Sequence, residues 1–150
     1  MKKRIFVYTC AITLFACFTV FAGEKAKKIK PTCPVTGKPC KKEFSVSHNG
    51  GTVFFCCPNC PKAFKKNTKK YTAKANYQLV LTKQAKCVKC PFKGTKVNEK
   101  TFISVKGAKV GFCCGNCKAR ALKAKGNKQI ELIFNDKAFK KGFKIVKKEV

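Results

Sequence analysis

The feature that most constrains this chain is a six-residue block that occurs twice. Phe55-Cys56-Cys57-Pro58-Asn59-Cys60 returns, 57 residues on, as Phe112-Cys113-Cys114-Gly115-Asn116-Cys117. The same ungapped shift carries Cys33-Pro34 onto Cys90-Pro91, Gly37 onto Gly94, Gly50 onto Gly107 and Val53 onto Val110. The chain is therefore an internal duplication, and six of its twelve cysteines lie in the two blocks. Thiols this dense either hold a soft metal ion or pair as disulfides.

The N-terminal residues set the compartment in which that choice is made. Met1-Lys2-Lys3-Arg4 precedes an apolar run from Ile5 to Ala22, with Val20-Phe21-Ala22 before Gly23. A basic start, an apolar run and a small-residue end make a secretory signal peptide over residues 1–22, cleaved after Ala22. An uncleaved anchor and lipidation at Cys17 are the alternatives, and both rank below cleavage. Cleavage predicts an exported protein, periplasmic or extracellular, with no membrane span left. It removes Cys10 and Cys17, leaving ten cysteines, and with Lys2, Lys3 and Arg4 lost the formal net charge falls from +29 to +26.

Residues 23–31 read as a flexible basic leader, 32–82 and 83–134 as the two modules, and 135–150 as a basic tail or edge strand. In the first module, Phe44 to Ser47 and Thr52 to Phe55 are short β-prone runs around Asn49-Gly50, a strong hairpin signal. The hairpin leads into a short helix over about 58–67, with Pro58 in its first turn. The run Tyr77 to Thr82 reads as a strand. The second module follows the scheme, with a strand over Thr101 to Val105, a turn at Lys106-Gly107 and a helix continuing from Lys118 to Lys125. Gly126 is expected to end that helix as a C′ residue. Gln129 to Phe134 reads as the counterpart of the Tyr77 strand, and Phe143 to Val146 as a last edge strand. Modules this small bury too little apolar surface to be stable unaided, so staples of metal or disulfide are expected.

In each module a turn cysteine is separated by a hairpin from a Cys-x3-Cys at a helix start. In the second module the set is Cys87-x2-Cys90 and Cys113-x3-Cys117, and four thiolates from a knuckle and a helix start can close a tetrahedron around zinc. A helix N-terminus favours the thiolate that a metal requires.

Gly37, the Asn49-Gly50 hairpin and the run Phe55 to Phe64 resemble the TRASH/YHS group of small treble-clef-like metal-binding domains. The resemblance spans about residues 32–72, and again about 87–125. It implies a small α+β fold of two tandem cysteine-rich treble-clef-like modules, each a β-hairpin plus a short helix. It also implies Cys56, Cys60, Cys113 and Cys117 as helix-side ligands, Cys33 and Cys90 as turn-side ligands, and Cys87 completing the second site. In the usual YHS turn, Asp-Pro-Val-Cys-Gly, the cysteine falls at Thr36 and the aspartate at Cys33. Cys40 is the candidate fourth ligand of the first module, with Cys57 or His48 as fallbacks. Cys57 and Cys114 fill a position held by serine in a zinc-binding ribosomal member of the group, and are spare thiols or alternative ligands.

The expected function is that of an exported, non-enzymatic protein holding a thiophilic ion, zinc first and copper next by ligand softness, for a structural role or for metal handling. One histidine and six carboxylates offer no acid–base pair for a hydrolase. Three rival features stand beside this. Ten cysteines in an exported protein suit a disulfide framework. With 35 basic residues against six acidic ones, anionic polymers or surfaces are natural partners. Arginine is scarce, which excludes specific nucleic-acid reading as the expectation. Cys57-x2-Cys60 and Cys114-x2-Cys117 look like redox dithiols, but short hairpins supply no thioredoxin-type frame.

Overall fold

Each half opens with the same tight turn, because a Gly four residues after the cysteine takes a left-handed conformation that other residues rarely adopt. Gly37 and Gly94 have φ of +78° and +74° in the computed structural model, which describes residues 30–146. The expected signal peptide, most of the basic leader and residues 147–150 lie outside the described residues. In the first turn Cys33 N–H donates to Lys38 O at 2.8 Å and Gly37 N–H to Cys33 O at 2.8 Å. In the second, Cys90 N–H donates to Thr95 O at 2.9 Å and Gly94 N–H to Cys90 O at 2.7 Å. The bridges Thr32–Pro39 and Lys89–Lys96 close both turns. All these pairs are related by the shift of 57 residues.

The described residues form an α+β fold with five α-helices and three two-stranded antiparallel sheets. The first half runs through β1 (Lys41–His48), β2 (Gly51–Phe55), α1 (Asn59–Lys66) and α2 (Thr68–Leu81). The second runs through β3 (Ala85–Cys87), β4 (Ile103–Val105), β5 (Ala108–Val110), α3 (Gly115–Lys123), α4 (Gly126–Phe134), α5 (Asp136–Gly142) and β6 (Phe143–Ile145). The hairpins β1–β2 and β4–β5 turn through Asn49-Gly50 and Lys106-Gly107, whose φ values of 48° and 81°, and 44° and 88°, are those of a type I′ turn. Val53 and Phe55 on one hairpin, Val110 and Phe112 at the end of the other, alternate into the core and are fully buried.

Four expectations are corrected. Tyr77 to Thr82 is not a strand: it is the last turn and a half of α2 and the cap that follows, opened by the Asn67 side chain accepting from Lys70 N–H. Thr72, Ala75, Asn76 and Leu79 mark its inner face at helical spacing. Tyr77, Gln78 and Val80 are buried as well, because β2, β3, β5, α4 and α5 pack around the helix. Burial on several sides erases the polar stripe by which a helix is recognised. Gln129 to Phe134 likewise belongs to α4, with Ile130, Ile133 and Phe134 inward. Gly126 does not end α3, which stops at Lys123 with Ala124 as its cap. It opens α4 instead, with φ +57°. Thr101 stands in a short 3-10 turn over Glu99–Thr101, so the strand begins at Ile103.

The two halves share α2. Asn76 donates from Nδ2 to Phe134 O at 2.9 Å, and Tyr77 OH donates to Lys106 O at 2.7 Å. The edge strand expected at Phe143 is present as β6, paired with β3 through Ala85–Ile145, Lys86–Lys144 and Cys87–Phe143. Its approach is close: a Cβ on Gly142 would lie 2.8 Å from Pro91 Cα and 2.9 Å from Lys89 O. Only glycine fits there.

Candidate metal centre

Three local structures converge at one end of each half: the Gly-containing turn, the last residue beyond the hairpin, and the first turn of a helix. They bring together Cys33, Cys56 and Cys60 in the first half, and Cys90, Cys113 and Cys117 in the second. Within each group the three Sγ atoms all lie within 4.8 Å of one another. Cys56 Sγ is 3.6 Å from Cys60 Sγ, and Cys113 Sγ is 3.8 Å from Cys117 Sγ. A zinc ion bound at about 2.3 Å to tetrahedral sulfurs implies sulfur–sulfur edges of about 3.8 Å. One edge of each triad therefore matches a thiolate face around such an ion, the other edges are within 4.8 Å, and each group could hold a metal. All ten described cysteines are free thiols.

The backbone prepares the turn thiols for that role. Burial raises Cys33, but the N–H groups of Thr36, Cys56 and Val35 and the Thr36 hydroxyl outweigh it and bring the thiol down to about 7. Cys90 is lowered too, with burial opposed by the N–H groups of Lys93, Cys113 and Phe92. The six amide donors are again related by the shift of 57. The helix thiols move the other way: burial pushes Cys117 up to about 12, with Cys114, Cys113 and Cys90 adding to it. Cys60 is raised for the same reasons. Without a cation, amides favour the thiolate form of Cys33 and Cys90, while burial holds the proton on Cys60 and Cys117. A cation at the centre would replace those protons.

The other expected ligands are placed elsewhere. Cys40 donates its S–H to Phe54 O at 3.1 Å and accepts from Gln78 Nε2 at 3.4 Å, and burial pushes it up to about 12. Cys87 donates to Lys89 O at 3.3 Å and accepts from Gly111 N–H at 3.4 Å. Neither is in a triad. His48, one fallback, packs its ring edge-on against Phe64 at 5.3 Å and contacts Asn76 Oδ1 at 3.2 Å, away from the sulfurs. Cys57, the other fallback, is close: its Sγ is 3.4 Å from Cys60 Sγ. Cys114 Sγ lies 3.8 Å from Cys113 Sγ.

The supporting residue that the sequence concealed is Gln78. It is 1 % exposed, accepts from Phe54 N–H at 2.7 Å, and donates to Phe54 O at 2.9 Å and Thr32 O at 3.0 Å. It thus ties α2 to the turn and to the strand that carry Cys33 and Cys56. A lone Gln inside an apolar run was its only signal. No protein-family model, curated protein or solved structure matches this chain.

Proposed function

We propose that this is an exported, non-enzymatic metal-binding protein of two TRASH/YHS-like, treble-clef-like modules, each holding one thiophilic ion. The observation that carries this reading is the pair of cysteine triads, built from equivalent residues and equivalent turn hydrogen bonds in both halves. All-thiolate sets select zinc, with copper(I) next. Cys33, Cys56 and Cys60 would hold one ion, and Cys90, Cys113 and Cys117 the other. The ion would supply charge that the sheltered thiolates lack, and would staple modules too small to be stable on their cores alone.

Mass spectrometry of the purified mature protein, native and then denatured, tests this. The expected result is two bound ions, lost on denaturation, and ten free thiols. A metal-free protein lighter by two protons per cysteine pair would sink it in favour of a disulfide framework.

A second property is compatible with the first. Among the described residues the only ion pair is Lys140–Asp136 at 2.9 Å, so the lysine field is left almost uncompensated. Such a surface favours anionic polymers or membranes. Retention on an anionic polysaccharide beyond that of a lysine-rich protein of equal charge would support it, and equal retention would remove it.

A further inference from the structure

A triad is one thiolate short of a closed tetrahedral site, and each half offers two more cysteines beside it. Cys40 and Cys87 are the inner candidates. They occupy unrelated positions under the duplication, since the shift carries Cys40 onto Val97 and Cys87 back onto Lys30. Both S–H groups are engaged with backbone carbonyls, at 3.1 Å to Phe54 O and 3.3 Å to Lys89 O. Turning either to a metal would abandon that carbonyl.

Cys57 and Cys114 differ on each count. They are equivalent under the shift of 57. Their nearest partners are triad sulfurs, Cys60 at 3.4 Å and Cys113 at 3.8 Å, close to the tetrahedral edge. They also lie at the rim: each is half-buried, as Cys56 and Cys113 are, and is followed by two exposed residues, Pro58-Asn59 and Gly115-Asn116, whereas Cys33, Cys60, Cys90 and Cys117 are buried. Each thus stands beside its triad, touching one of its sulfurs but outside the three that lie within 4.8 Å of one another, so it must swing inward to complete a tetrahedron.

Resting on the metal-binding reading above, we propose that Cys57 and Cys114 are the fourth and exchangeable ligands, the side from which each site passes a thiophilic ion to a thiol-bearing acceptor. In the exchange step the acceptor thiol bonds to the metal through sulfur and the metal–Sγ bond of Cys57 or Cys114 breaks. The proton of the acceptor thiol moves to the departing Cys thiolate, and no electron is transferred. The three triad bonds persist through this step, which is why the fourth ligand sets the rate of handover and the triad sets retention.

Cobalt(II), a coloured stand-in for zinc, reports the ligand count through its thiolate charge-transfer band. The reduced full mature chain should bind two cobalt ions. The double variant Cys57→Ser/Cys114→Ser should still bind two, with the band reduced to about three-quarters, as four thiolates become three. Cys40→Ser should leave the band unchanged. In the zinc-loaded wild type, limited iodoacetamide should modify Cys57 and Cys114 first, with both ions still bound in the native mass spectrum. An unchanged band in the double variant, or loss of an ion at the first alkylation, overturns the proposal. If the wild type binds no cobalt or zinc at all, the metal-binding reading falls with it, so the two failures are distinct.

Discussion

The two halves solve one packing problem in different ways. In the first, Phe64 on α1 packs its ring on Phe55 at a centroid distance of 5.4 Å. The shift carries Phe64 onto Ala121 and Val35 onto Phe92, so in the second half the helix loses its ring and the turn gains one. Phe92 then packs on Phe112, also at 5.4 Å, with the Arg120 guanidinium 4.8 Å over its face. The helix that supports the first centre has 14 residues, while its counterpart α4 has nine. The turns, strand ends and helix starts that carry the triads keep their cysteines together with Gly37 and Gly94, Phe55 and Phe112, and Asn59 and Asn116. Duplication has kept the triad sulfurs, with Cys57 and Cys114, and let the scaffold behind them drift.

The largest effect that can test this division is loss of a triad thiol. Cys33→Ala and Cys90→Ala should each cost one of the two ions and leave the other, because the two triads share no ligand. Structural zinc in small domains supplies on the order of 10 kcal/mol of apparent binding free energy. The unfolding midpoint in denaturant should therefore fall steeply for either variant. If one substitution released both ions, the halves would not be separate sites.

The next effect is the ring exchange itself. Phe64 is 2 % exposed, and Phe64→Ala should cost about 3–5 kcal/mol in denaturant unfolding. Adding Val35→Phe would give the first half the second half's arrangement, and should recover about 1–2 kcal/mol of the loss through the regained aromatic contact. No recovery would mean that the turn cannot deliver a ring in the first half.

Gln78→Leu should cost about 1–3 kcal/mol, because Phe54 N–H loses its side-chain partner inside the protein. The variant should weaken the Cys33–Cys56–Cys60 ion more than the other one, measured by competition with a chelator. Equal weakening would deny Gln78 its local role.

The smallest effect is a pH dependence. Burial against Phe64 lowers His48, with the Asn76 contact opposing it, so the fold prefers the neutral ring. Its contribution to stability is complete above the ordinary histidine value of about 6.5 and is lost as pH falls through the lower folded value. His48→Gln should flatten that part of the thermal midpoint's pH dependence, and an unaltered slope would exclude His48 as its source.

The parts of the molecule that were legible in the sequence are the parts specified locally. Asn49-Gly50, Gly37, Gly94 and the Phe-Cys-Cys blocks each determine a conformation within a few residues, and they place six sulfurs in two groups. What was not legible depends on distant partners. Tyr77 to Leu81 looks like a strand because its helix is enclosed on several sides, and the contacts of Cys40 with Phe54 O and Gln78 come from residues far along the chain. The amides around Cys33 and Cys90 carry no side-chain signature at all.

The pairing of β3 with β6 has a temporal consequence. Residues 32–81 complete the first turn, hairpin and both helices, with Gln78 closing the turn onto the hairpin, so that half draws its own contacts from neighbours in sequence. The second does not, since Ala85 waits for Ile145 and the space beside Pro91 waits for Gly142. Long-separated contacts form slowly because loop closure must precede them. The first centre should therefore mature early, and the second only when the last strand docks. A nick near residue 140 would then undo one centre and spare the other.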